Sequence, residues 1–268
     1  MLTPGCFSRQ EDIKVVSLLE RKIFVHDIAV VSTTRVLLVD WTLRLVDSQN
    51  GGVVAKASLT AKPFRVCLLR DGRAVVTFPT EKRIQFIRTA GDTLSLDRYV
   101  DLNGSVVGIA ACDNHLVMSY EHPCRVKKIT MKGKVTHKLD NQTSGKELFK
   151  FPRFIAISES KHIFISDSGT NTITQLDETL QVVQTFTSHL MESPAGIVSV
   201  NTTQLLVSDW NSHNILVLDT NTGSMTTLLG QAEKIHKPGA VAWCPASKTL
   251  YICPALTLAK TITKFHCL

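Results

Sequence analysis

The sequence reads as all-β, and specifically as a six-bladed β-propeller of four-stranded antiparallel blades. That reading rests on three features. Short apolar runs recur along the whole chain, each bounded by Gly, Pro, Asn, Asp or Ser, which is the pattern of strands and turns. Two stretches, FISDSGTNTI (Phe164 to Ile173) and LVSDWNSHNI (Leu206 to Ile215), are nearly alike, and their aspartates Asp167 and Asp209 lie about 42 residues apart. Each follows the same preamble of a proline, an apolar strand, a polar turn and a second apolar strand, beginning at Pro152 and Pro194. A third strand and a fourth complete each unit, TITQLD and VVQTFT in one, NILVLD and SMTTLLG in the other.

Weaker copies extend the period in both directions. Val25 to Leu59 forms a first unit, Lys62 to Leu102 a second and Gly104 to Asp140 a third. The two well-preserved units are the fourth and fifth, and Lys237 to Cys267 makes a sixth that lacks its outer strand. A strand without a unit, DIKVVSLLE (Asp12 to Glu20), precedes the first. Ile13 to Leu19 is therefore expected to complete the last blade, so that the ring closes and leaves only short, guarded edges. Residues 1–11 are expected to form a flexible N-terminal segment, and 12–268 a single propeller domain. NQTSGKELFK (Asn141 to Lys150) is read as a long loop between blades. A β-sandwich with coincidental spacing is the poorer explanation, since six units share one strand order.

Composition agrees with a folded domain. Of 268 residues, 44% are hydrophobic and 20% charged, which supplies a core and excludes wholesale disorder. The seven cysteines are odd in number, lack CxxC spacing and mostly sit in apolar runs, so they are expected to be reduced, buried thiols. The N-terminus has no apolar signal region, and no run approaches the roughly 20 residues of a membrane span. The chain is thus expected to be soluble and cytoplasmic. A net charge of +7 favours anionic partners without naming one.

The recurring Ser-Asp pair invites a catalytic reading, with Ser166 or Ser208 as nucleophile. Catalysis of that kind needs a histidine held between serine and acid. His213 lies near Asp209, but Thr170 stands at a similar place after Asp167, and no third member repeats. Asp167 and Asp209 are instead expected to accept backbone N–H groups of the following turn. Asn171 and Asn214 are expected to take that turn's left-handed position. A cation-dependent hydrolase would need several carboxylate, Asn or His ligands on the innermost strands. Those strands, DIAVV, RVCLL, GIAAC, FIAIS, GIVSV and AVAWC, offer one carboxylate, Asp27. No catalytic residue, no metal and no cofactor are expected, and the chain is read as not an enzyme.

FPRFIAISESKHIFISDSGTNTITQLD and SPAGIVSVNTTQLLVSDWNSHNILVLD resemble the NHL repeat, and the chain is most similar to the C-terminal propellers of TRIM-NHL proteins. The likeness spans nearly the whole chain in architecture and about two blades in motif. It implies a recognition domain that binds a protein substrate or RNA. In such proteins ubiquitin-ligase activity belongs to an upstream RING, for which this chain has no Cys/His zinc spacing.

In a four-stranded blade the loops entering the first strand and those joining the second to the third share one face, here termed the inlet face. Lys62, Arg65, Lys82, Arg83, Arg125, Lys150, Arg153, His213, Lys237 and Lys260 fall on it and are expected to form the ligand-binding surface. The resemblance implies RNA on the same face. Aromatic residues that could stack bases are few there: Phe64, Phe78, Tyr120, Phe154 and Trp210.

Overall fold

In the computed structural model, which describes residues 2–15, 23–143, 146–254 and 261–268, six four-strand antiparallel blades surround a central channel. The innermost strands are Asp27–Ser32, Val66–Leu68, Val106–Cys112, Pro152–Ile157, Pro194–Ser199 and Pro238–Cys244. Each packs against the next, and the sixth packs against the first, closing the ring. Within blades 1 to 5 the strand order follows the chain from channel to rim.

Burial explains why the strands read as they do. The second strand of each blade is covered on both faces by neighbouring blades, so it is a continuous apolar run rather than an alternating one. Ile163–Asp167 and Gln204–Asp209 are buried at every position. Outer strands face solvent, and Val182–Phe186 is exposed at all but its last residue. Six apolar clusters fill the structure, one in each gap between adjacent blades. A propeller core is therefore divided into wedges, and each wedge needs both of its blades.

The last wedge is sealed by the N-terminal strand, as expected, but from an earlier point in the chain. Phe7–Arg9 pairs antiparallel with Thr261–Cys267, and Ile13–Lys14 continues along the same partner with Ile13 opposite Ile262. Phe7, assigned by sequence to a flexible tail, meets Trp243 edge-on at 6.0 Å. Ile13 and Val15 are buried in the cluster between the sixth and first blades. Residues 16–19 of the expected strand lie outside the described residues. The loop expected at 141–150 carries a short ladder, Gln142–Thr143 with Lys146–Glu147. Phe149 anchors it, buried, with its N–H donated to Asn141 Oδ1 at 2.7 Å.

The Ser-Asp pair acts as a double staple. Asp167 is fully buried and accepts four backbone N–H groups: Lys150 (2.7 Å) and Phe151 (3.0 Å) before the innermost strand, Gly169 (2.8 Å) and Thr170 (3.1 Å) after its own strand. Asp209 does the same for Glu192 (2.9 Å), Ser193 (2.8 Å) and Ser212 (3.0 Å). The adjacent serine reaches the next blade. Ser166 donates to the carbonyl of Ala195 at 2.6 Å, Ser208 donates to that of Gly239, and Ser119 in blade 3 donates to that of Pro152. The aspartate thus fixes loops within a blade while the serine fixes blade to blade. Asn171 holds the left-handed turn position (φ 54°), as expected. In the following blade that position belongs to His213 (φ 60°), and Asn214 is the first residue of the third strand. The aligned polar residue is one place earlier than the sequence pairing suggests, because both turns hold the same number of residues after the aspartate.

Asp167→Ala would leave four N–H groups without their acceptor and is expected to lower the unfolding free energy by about 3 kcal/mol or more, against about 1 kcal/mol for Ser166→Ala. Urea denaturation of both variants measures this. A loss below about 1 kcal/mol for the aspartate variant would contradict the staple.

Candidate ligand-binding site

The channel is walled by the innermost strands and contains a cavity of about 260 Å³. Its lining is mostly aliphatic, including Leu68, Ile109, Ile155, Val198 and Val241, with Asp27, Arg65 and Arg153 as the charged members. Above it, on the inlet face, a mouth pocket of about 300 Å³ is framed by His26, Phe64, Arg65, Arg153, Phe154, Ser168, Ser193 and Trp210. Arg65 and Arg153 belong to both spaces.

Arg65 lies across the boundary. Its side chain was expected on an open surface, but the residue is only 5% exposed. Its guanidinium sits against the rings of Phe154 (3.7 Å to the centroid) and Phe64 (4.2 Å). Nε donates to the carbonyl of Arg153 at 3.1 Å, and Nη1 donates to the carbonyls of His26 and Phe64. One side chain therefore joins blades 1, 2 and 4. Asp27 lies nearby but commits its oxygens to backbone N–H groups, Ile28 at 3.0 Å and Val66 at 2.9 Å.

The electrostatics follow from this burial. Desolvation raises the Asp27 carboxyl to about 6, against the opposing pull of Arg65 and the two N–H bonds. Desolvation also lowers Arg65 to about 10, with Asp27 partly compensating, so the guanidinium stays charged at neutral pH. Burial and then the Arg65 charge push His26 below its ordinary value, so it is neutral there.

The other expected cations fall into two groups. Arg153, His213 and Lys237 stand at the mouth. Arg153 pairs with Glu121 at 2.8 Å, Lys237 Nζ lies 4.7 Å from the Trp210 ring centre, and the backbone N–H of Lys237 donates to His213 Nδ1 at 3.0 Å. His213 stacks on His236 at 4.6 Å. Lys62, Lys82, Arg83, Arg125 and Lys150 stand further out on inlet-face loops. In blades 2 and 3 the staple aspartate is replaced by a buried ring, Phe78 or Tyr120, and the residue paired across the turn is an arginine. Arg83 lies 5.6 Å from the Phe78 centre and Arg125 lies 4.9 Å from that of Tyr120. Lys62 covers Trp41 at 4.0 Å. Lys82 takes the left-handed turn position (φ 52°). Lys260 lies outside the described residues. His26 was missed, although its place just before an innermost strand matches that of Phe64 in the next unit. Among the described residues no group of three or more His, Cys, Asp and Glu could hold a metal ion.

No protein-family model matches the chain, and no curated protein matches its sequence. Solved structures do match. Virginiamycin B lyase from Staphylococcus aureus, in a catalytically inactive form with quinupristin, superposes with a TM-score of 0.69 at 16% identity, covering 98% of this chain and 100% of that one. A Bacteroides thetaiotaomicron protein of unknown function gives 0.76 at 14% identity, over 96% of this chain and 72% of that one. A chain of the nidogen/laminin complex gives 0.66 at 13% identity, over 85% and 86%. This chain is a six-bladed β-propeller. At these identities the likeness establishes architecture alone, and the finer resemblance to TRIM-NHL proteins has no matching family behind it. One expectation is corrected outright. Lyases, which are enzymes, share the architecture end to end, so reading the chain as not an enzyme does not stand.

The raised Asp27 carboxyl carries a pH signature. The folded state holds this proton more tightly than the unfolded chain does. The stability it contributes is full below about pH 4, falls as pH rises to about 6, and is constant above, a change on the order of 3 kcal/mol. Urea denaturation of wild type and Asp27→Asn across that window should show their stability difference shifting against the wild type. A difference independent of pH would contradict the assignment.

Proposed function

We propose that this chain is a recognition propeller that holds a segment of a partner protein on its inlet face, anchored in the mouth of the channel. The observation that carries this reading is the mouth pocket, where Phe64, Phe154 and Trp210 frame a buried, charged Arg65. Pockets of this size with an apolar frame and a few fixed polar groups suit a side chain or chain terminus. Around it Lys62, Lys82, Arg83, Arg125, Lys150 and Lys237 offer a basic rim suited to an acidic segment. The nidogen/laminin neighbour supports protein recognition on this architecture.

The resemblance to TRIM-NHL propellers also suggests RNA. The aromatic faces argue for protein instead. Trp41, Tyr120 and Trp210 each lie under a cation from Lys62, Arg125 or Lys237, and single-stranded recognition uses free ring faces for stacking.

Selection from a random peptide library should enrich acidic sequences. The triple variant Lys150→Glu, Arg153→Glu, Lys237→Glu should weaken them at least about tenfold while its melting temperature moves by less than about 4 °C. Retention of random single-stranded RNA with a steep salt dependence, and no enriched peptide, would overturn the reading.

A further inference from the structure

Two hydrogen-bond donors at the mouth have no acceptor among the described residues. Arg65 carries five N–H donors on its guanidinium. Nε and Nη1 are used on the carbonyls of Arg153, His26 and Phe64, while Nη2 has no protein acceptor among the described residues. No ion pair is made by Arg65 among those residues either, because Asp27 spends both oxygens on backbone N–H groups. Trp210, on the same pocket, has a buried indole Nε1 with no partner among the described residues. The other two such atoms, Arg83 Nε and Arg125 Nε, lie on outer turns and not in this pocket. Buried donors are nearly always satisfied, so the Trp210 indole N–H calls for an acceptor. Arg65 Nη2, itself not sealed from solvent, lines the same pocket without a protein acceptor, and the two donors mark where an acceptor would sit.

We infer that the mouth pocket is a carboxylate site, in which Arg65 Nη2 and Trp210 Nε1 each donate to a carboxylate oxygen and Phe64 and Phe154 hold an apolar group beside it. This rests on the recognition reading and gives its ligand a chemical class. The charge balance favours a flat monoanion over a phosphate. Arg153 is already paired with Glu121, Asp27 lies beneath Arg65, and Lys237 lies over the Trp210 ring. A guanidinium with no carboxylate hydrogen-bonded to it, on the same lining as the Trp210 donor, matches the two oxygens of a carboxylate. A phosphate dianion would call for further free cations. The carboxylate could come from a peptide C-terminus or from an acidic side chain.

The probes are N-acetyl-L-phenylalanine, which carries only a terminal carboxylate, N-acetyl-L-glutamic acid α-amide, which carries only a side-chain one, N-acetyl-L-phenylalaninamide, which carries none, and inorganic phosphate. The readout is the ¹H–¹⁵N spectrum of the folded protein, in which Trp210→Phe identifies the Trp210 indole signal by its loss. The expected result is a saturable downfield shift of that signal, in the millimolar range, with one or both carboxylate probes. A larger response to the phenylalanine derivative names a chain terminus, and a larger response to the glutamic acid derivative names a side chain. In Trp210→Phe, which keeps an aromatic ring but removes the indole N–H, affinity read from backbone signals of the mouth should fall about tenfold. No shift with either carboxylate, an equal shift with the amide, or a stronger shift with phosphate would overturn the inference. Library peptides that bind without a carboxylate at the mouth would remove this site and leave the recognition reading. Carboxylate binding without any enriched peptide would do the reverse.

Discussion

A single buried guanidinium sets the geometry of the inlet face. Arg65 donates to carbonyls contributed by His26, Phe64 and Arg153, and so spans blades 1, 2 and 4 across the top of the channel. Even lowered to about 10 by burial, Arg65 keeps its proton at neutral pH, so its charge must be met where it lies. The fold meets it with carbonyl dipoles and with the faces of Phe64 and Phe154, and no carboxylate of the described residues is bonded to it. The mouth is thereby left with a charged guanidinium set in an apolar frame of Phe64 and Phe154. Each functional property argued for the pocket descends from that arrangement.

The frame around it depends on how the blades are tied. Ser119, Ser166 and Ser208 each bond to a carbonyl of the next blade's innermost strand, and Asp167 and Asp209 each gather the N–H groups of two loops. These links cluster in blades 3 to 5. Blade 1 keeps an aspartate, Asp40, but shortens the turn and pairs it with Arg44 at 2.9 Å. Blades 2 and 3 exchange the carboxylate for Phe78 and Tyr120 with an arginine close to each ring. The degraded repeats are thus not merely lost staples. They are turns in which a neutral ring and a cation replace a buried acid, and that exchange is what makes the inlet rim basic.

The architecture was legible because it is periodic. Six copies of one strand order locate the innermost strands, and the missing outer strand of the last unit announces the closure. The start of the closing strand was misplaced because Phe7 is set apart from the apolar run and its burial depends on Trp243, more than two hundred residues away. Asn214 was misassigned by one residue because spacing alone does not say which side chain of a turn has positive φ. The face of most cations was legible from topology, but the depth of Arg65 was not. Nothing local distinguishes it from Arg83 or Arg125. Its burial depends on Phe154, which blade 4 brings beside it from across the channel. Trp210 was visible as an aromatic residue of the inlet face, whereas the lack of a partner for its indole N–H is a property of the assembled pocket. Whether the chain is an enzyme could not be read from a metal cage, since propellers that share its architecture include lyases.

The most direct measurement is a crystal structure of the protein soaked with N-acetyl-L-phenylalanine. The carboxylate should lie between Arg65 Nη2 and Trp210 Nε1, with donor–acceptor distances of about 2.7–3.0 Å and the phenyl ring against Phe64 and Phe154. An empty mouth with Arg65 turned to pair with Asp27, or the probe seated elsewhere, would contradict the assignment of the ligand site.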